Sequence, residues 1–300
     1  MDINLLIERE KPYIEKICKM YQYDSNIEHI LLILIPAFIL KYGFERESLI
    51  QNTFRDIKII SSNKESSTIR AYYTSTLNKS EETYKTRKYM VIQNYNKISL
   101  VELIDNLTHE FNHAINSYLN EIRVSKKYVY LRTGLTYRIY DKETCSFIKK
   151  DNSYILEEII NTKQTEDIIN IIKKLEVNDS TIQNTIYGLN SETNTKYNSN
   201  SYYLQSNICK KIIDNRTFIR TLERLRLTGD IYDIEKWFDD IIGEDNKYKE
   251  FITLLNEIYE LELSYHERKL FKNRIINKIR NKTSDLLKII EKFNENVNLI

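Results

Sequence analysis

Apolar residues recur with a helical period along most of the chain and with a short β-branched or aromatic pattern in two limited stretches. Residues 3–22 intersperse apolar and charged positions as an amphipathic helix does. The run Leu31 to Leu40 is apolar on every face and predicts a buried helix. It has about half of the roughly 20 apolar residues that a bilayer span needs, and it contains Pro36, so no membrane anchor is expected. Asp56–Ile60, Thr68–Thr76 and Tyr89–Tyr95 have strand composition. Next, Leu100, Leu103, Ile104, Leu107, Phe111, Ala114, Ile115 and Tyr118 repeat at helical spacing as one apolar stripe. Ser99 and Glu102 form a capping box at its start, with Ile98 and Leu103 as a hydrophobic staple. Tyr128–Tyr140 reads as a hairpin turning at Thr133-Gly134, and Tyr154–Ile169 as a largely buried helix. Residues 188–201 are the longest polar stretch and predict a loop, either a linker or a flap. Beyond it the pattern is helical throughout. An amphipathic block from Leu222 to Ile242 is broken at Thr228-Gly229-Asp230, where Asp230 reads as an N-cap. Helices over Phe251–Leu263 and Leu270–Phe293 follow.

These elements predict an α+β, predominantly helical chain. A small, mostly antiparallel sheet should pack on the helix that starts at Ser99, with an all-helical C-terminal half. The expected division is residues 1–187, an α+β half, and 188–300, a helical half. Composition agrees: 5 glycines and 2 prolines in 300 residues favour long helices over a turn-rich β fold. A net charge of +2 supplies no field for nucleic acid or an anionic membrane, so neither is expected as a partner. Lys278, Arg280, Lys282 and Lys288 read as the solvated face of the last helix. The three cysteines, Cys18, Cys145 and Cys209, are too scattered for a disulfide framework. The N-terminus has no basic n-region, and Glu8, Arg9, Glu10 and Lys11 interrupt any apolar core of a signal, so a cytoplasmic location is expected.

Chemistry concentrates in His109-Glu110-Phe111-Asn112-His113, which holds two of the four histidines. On the predicted helix, residues four apart share a face, so both imidazoles can reach one metal ion. At about 100° per residue they fall almost opposite the apolar stripe and should project away from the core. Glu110 stands beside them, where it can take a proton from an attacking water. This is the HExxH arrangement of zinc hydrolases. Zinc in such a site takes a third protein ligand, and no histidine lies close downstream. The helix beginning at Tyr154 carries a polar strip, Glu158, Asn161, Thr162 and Thr165, on an otherwise apolar surface. A carboxylate on a buried helix needs a partner, and Zn²⁺ would be one. Glu158 is the favoured ligand. Glu157, with Asn161 and Gln164 around it, is the competing one. His29, at the start of the apolar helix, reads as a capped or solvated residue.

The two motifs together resemble the gluzincin family of zinc metallopeptidases. In that family the ligand glutamate follows an asparagine and precedes, by four residues, an aspartate that orients the first histidine. Glu157-Glu158-Ile159-Ile160-Asn161-Thr162 matches that frame with Glu158 as ligand. It departs at both flanks, with Glu157 in place of asparagine and Thr162, which adds no charge, in place of aspartate. The resemblance implies a zincin-like fold, a bound Zn²⁺ in the cleft between the two halves, and a peptide or protein substrate. It also implies a tyrosine or histidine that stabilises the oxyanion from outside the motif helices. His266, Tyr202 and Tyr203 are candidates, although His266 reads more readily as a solvated helix residue. The resemblance rests on these short motifs and the element order around them. Two other functions compete: a regulatory or structural protein that keeps the fold without cleaving, and a zinc hydrolase of a non-peptide amide. Intact Glu110 argues against the first.

Overall fold

The computed structural model of the chain describes residues 3–62, 71–80, 83–150, 153–191, 203–230, 233–267 and 272–297. Among them are eleven α-helices and seven strands in two separate sheets, an α+β and predominantly helical fold. The chain divides into two compact units that are each discontinuous in sequence. One is Met1–Tyr118 with Asn161–Tyr197, and the other is Leu119–Ile160 with Asn198–Ile300.

The first unit opens with α1 (Ile3–Tyr21), α2 (Ser25–Tyr42) and α3 (Glu47–Asp56). Asp24 caps α2, its side chain accepting the Ile27 N–H at 3.0 Å. By length and composition α2 could cross a bilayer, yet twelve of its eighteen residues are buried, the burial of a core helix. Strands β1 (Ile57–Ser62), β2 (Ala71–Ser80) and β3 (Thr83–Gln93) form a sheet in the order β1-β3-β2. β3 pairs antiparallel with β2 and parallel with β1. The sheet beside the motif helix is therefore evenly mixed rather than mostly antiparallel, because β3 inserts next to β1 instead of extending a meander beyond β2. Thr68–Arg70, the start of one expected strand, lie outside the described residues.

The motif helix α4 (Leu100–Ile115) begins as expected, with Ser99 Oγ accepting the Glu102 N–H at 3.1 Å. It packs against the edge strand β2 and against α3. Phe111, inside the motif, stacks on Phe54 with ring centroids 3.8 Å apart, and Phe54 meets Phe38 edge-on at 5.6 Å. This aromatic column anchors the motif helix in the core.

The second unit carries β4 (Ile122–Val124), β5 (Tyr128–Thr133), β6 (Thr136–Asp141) and β7 (Ser146–Lys150), an antiparallel sheet in chain order. Thr133 pairs with Thr136, so the β5–β6 loop is Gly134-Leu135, one residue later than the sequence suggests. Gly134 takes φ +55° there, a left-handed conformation that favours glycine. Helices α7 (Tyr203–Ile213), α8 (Arg216–Thr228), α9 (Ile234–Ile242), α10 (Lys247–Glu267) and α11 (Lys272–Val297) complete the unit. They close on a core around Phe218, Phe238, Phe251 and Phe293. Gly229, at φ +80°, ends α8 as a left-handed cap. The residue at the start of α9 is Asp233 rather than Asp230, and it makes no side-chain cap bond.

One continuous helix, α5 (Tyr154–Ile172), contributes to both units, the change falling between Ile160 and Asn161. It is followed by α6 (Ser180–Ser191), which extends into the stretch expected to be a loop. Residues 188–191 are helical, and the remainder of that stretch lies outside the described residues.

Candidate metal centre

His109 and His113 occupy the last two turns of α4, with their rings 4.9 Å apart and nearly perpendicular. The negative end of the helix dipole lies there, which favours a cation. Glu158 sits in the second turn of α5. The ligand atoms of His109, His113 and Glu158 all lie within 4.8 Å of one another, the group among the described residues able to hold a metal ion. A tetrahedral zinc with bonds of about 2.0–2.2 Å sets its ligands roughly 3.3 Å apart, so modest side-chain rotations close the shell. Two imidazole nitrogens and one carboxylate oxygen are the donor set of hydrolytic zinc and would leave room for a water. His113 is buried, while His109 and Glu158 are half-buried, so the group combines desolvation with access. The residues fit zinc.

The sequence suggested that the histidine face of α4 points away from the core. Instead that face is covered: Glu110, Asn112, His113 and Asn116 are all buried. The polar strip of α5 packs over it. Asn112 Nδ2 donates to Asn161 Oδ1 at 2.7 Å and to Gln164 Oε1 at 3.1 Å. Asn116 Nδ2 donates to the Tyr42 hydroxyl at 3.1 Å and to the Asn112 carbonyl at 2.8 Å. The Tyr42 hydroxyl donates to Asn112 Oδ1, bringing α2 into the cluster. Asn161 Nδ2 also donates to the main-chain carbonyl of His109 at 2.9 Å. Ser117 Oγ donates to the His113 carbonyl at 2.5 Å. Two polar helix faces can be buried together because amides of one hydrogen-bond to amides of the other.

The adjacent glutamates of α5 have different surroundings. Glu157 is buried, and Arg226, itself fully buried, grips both its oxygens at 2.9 and 2.5 Å. The Leu135 N–H donates to the same carboxylate at 2.8 Å. Arg132 Nη1 in turn donates to the carbonyls of Arg226 at 2.8 Å and Gly134 at 2.7 Å. A Cβ at Gly134 would collide with the Glu157 carboxylate, a second reason for glycine there. Glu157 is thus a structural ion-pair partner, and Glu158 is the carboxylate grouped with the histidines.

Glu110 Oε2 accepts the Tyr73 N–H of β2 at 2.6 Å, which fixes the carboxylate between α4 and the sheet edge. Asp105, one turn before His109, has its carboxyl pushed up to about 6 by burial. Glu102, Glu166 and Glu110 push the same way, and His109 partly opposes them. This excess of carboxylates around one imidazole is an environment that attracts a cation.

Thr162 is half-buried and takes no part in the amide cluster; Asn161, one residue earlier, makes the contact to His109 instead. His266 is exposed near the end of α10 beside Tyr265, and it is not in the metal group. Tyr203 begins α7, and Tyr202 lies outside the described residues. Sequence reasoning missed Tyr42, Tyr73, Asn112, Asn116 and Arg226. Only the two asparagines carried a signal, standing four apart beside the histidine pair. No protein-family model, curated protein or solved structure gives a significant match to the chain.

Proposed function

We propose that the chain is a zinc-dependent hydrolase of peptide bonds of the gluzincin type, acting on a peptide or protein substrate. The observation that carries this is the grouping of His109, His113 and Glu158 beside Glu110. Zinc bound there would polarise the scissile carbonyl and lower the pKa of water to about 7. Glu110, one residue from His109 and buried, takes the proton of the attacking water and returns it to the leaving amine. The Tyr73 N–H holds that carboxylate in place while it works. His109, His113 and Glu158 would hold the ion. Three free thiols, Cys18, Cys145 and Cys209, support a cytoplasmic location, and the near-zero net charge supports neither nucleic acid nor membrane as partner.

A second reading is a metal-holding protein without turnover. It is favoured by the Tyr73–Glu110 hydrogen bond, which gives Glu110 a structural use of its own. Glu110→Gln separates the two. As the base, its loss should leave zinc bound and lower kcat for cleavage of a peptide library by at least about 10²-fold. Unchanged turnover removes Glu110 as the base. A library left intact by zinc-loaded wild type favours the second reading, or a non-peptide amide substrate if an amide panel is cleaved.

A further inference from the structure

Helix α5 has a packing problem that bears on the metal centre. Ile155, Leu156, Ile159, Ile160, Ile168 and Ile169 are all buried, and at 100° per residue they occupy most of the circumference of the helix. Hydrophobic burial is non-directional, so such a helix gains nearly as much when rotated by one residue. A rotation of that size would replace Glu158 with Glu157 or Ile159 opposite the histidines. The Glu157–Arg226 pair fixes the first turns of the helix against α8, and a second directional contact has to set it against α4.

The amide cluster is directional, and its spacing matches that of the ligands. Asn112 lies three residues after His109 on α4, and Asn161 lies three residues after Glu158 on α5. In each helix the amide therefore stands about 60° around from the ligand and one turn along. Asn112 Nδ2 bonds Asn161 Oδ1 at 2.7 Å, so one hydrogen bond between the amide strips sets the ligand strips against each other. Gln164 adds a second bond on the next turn, at 3.1 Å from Asn112. Asn161 also holds the His109 carbonyl at 2.9 Å. All four amides, Asn112, Asn116, Asn161 and Gln164, are fully buried, where a misaligned polar group costs most.

We infer that this buried cluster, with Tyr42, is the register lock of the metal centre: Asn161 and Gln164 are positioning residues that act on the metal through Glu158. The inference rests on the zinc-hydrolase reading above and adds residues to it. Polar groups buried inside an apolar interface serve the same purpose where they fix the register of paired helices.

A double-mutant cycle on the full-length protein tests it, with zinc affinity read by competition against a chromophoric chelator. Asn161→Ala should weaken zinc about ten- to a hundredfold, as loss of a group that orients a ligand does. In a Glu158→Ala background the same substitution should change zinc affinity less than about threefold, because the residue through which it acts is already gone. The cobalt-loaded Asn161→Ala protein should show a d–d spectrum shifted towards that of Glu158→Ala. Gln164→Met carries the same expectations, does not touch His109, and serves where Asn161→Ala fails to fold. Equal losses of zinc affinity in both backgrounds, or no loss in either, would overturn the inference while leaving the metal site intact. A wild-type protein that binds no zinc would remove the hydrolase reading and the register lock together.

Discussion

Two glutamates stand side by side on α5, and the structure gives them separate work, so substitutions should separate fold stability from metal binding. Arg226→Met is the sharpest perturbation of the first role. Arg226 and Glu157 are both removed from water, and the pair is joined by two charge-assisted hydrogen bonds at 2.9 and 2.5 Å. Removing the guanidinium takes two charge-assisted hydrogen bonds from the buried carboxylate, which keeps the Leu135 N–H at 2.8 Å. Breaking one side of a buried ion pair costs about 3–5 kcal/mol, a large part of the roughly 5–15 kcal/mol that holds a domain folded. The double variant Glu157→Leu/Arg226→Met should recover most of that loss, because well-packed apolar side chains replace a buried pair at little net cost. Urea unfolding followed by circular dichroism reads the effect as a lower midpoint at unchanged slope. Zinc content should stay at the wild-type level in Arg226→Met and in Glu157→Gln, provided they are folded at the temperature of assay. Glu158→Gln should do the opposite, keeping the midpoint and losing zinc. An Arg226→Met unfolding free energy within about 1 kcal/mol of wild type would refute the ion-pair account, and zinc lost in Glu157→Gln but kept in Glu158→Gln would exchange the two roles.

Burial predicts a graded thiol chemistry. Cys18 and Cys209 are buried with their thiols pushed up to about 12 by desolvation, whereas Cys145 is exposed at the β6–β7 turn. One thiol per native chain should react promptly with a maleimide and three after denaturation; prompt reaction of two or more would contradict the packing. The metal-free protein should also report Asp105. Its folded pKa of about 6 lies above the unfolded value near 3.9, so the fold favours the protonated form. The resulting penalty is absent below about pH 4 and fully present above about pH 6. Asp105→Asn should therefore stabilise the apo protein at pH 8 and have little effect at pH 4; a gain that grows as pH falls would refute the assignment.

The motif helix was legible because three local signals agree there: a capping residue, a periodic apolar stripe, and histidines four apart. Glu158 was legible as part of a polar strip on an apolar helix, with its neighbour Glu157 as the competing ligand. What separates them is Arg226, 69 residues away in the chain, and no local pattern announces a partner at that distance. The orientation of the histidine face was misjudged for a related reason. A helical wheel divides core from solvent, whereas α4 buries its second face against the amides of α5. Tyr42 gave no signal, being the last residue of an apolar helix. The fold class followed from periodicity, yet the partition into two sheets did not. β4 has three residues, too few for an alternating pattern to show, and the parallel pairing of β1 with β3 depends on a partner chosen in space. α6 reaches Ser191 through residues that also favour loops, so polarity alone placed the loop too early.

Metal analysis of the dialysed protein tests the central claim most directly, comparing wild type with His113→Ala and Glu158→Gln after each is shown to be folded. The account predicts about one zinc per wild-type chain and almost none in either variant. A metal-free wild type after zinc loading, or the same zinc content in all three proteins, would contradict it.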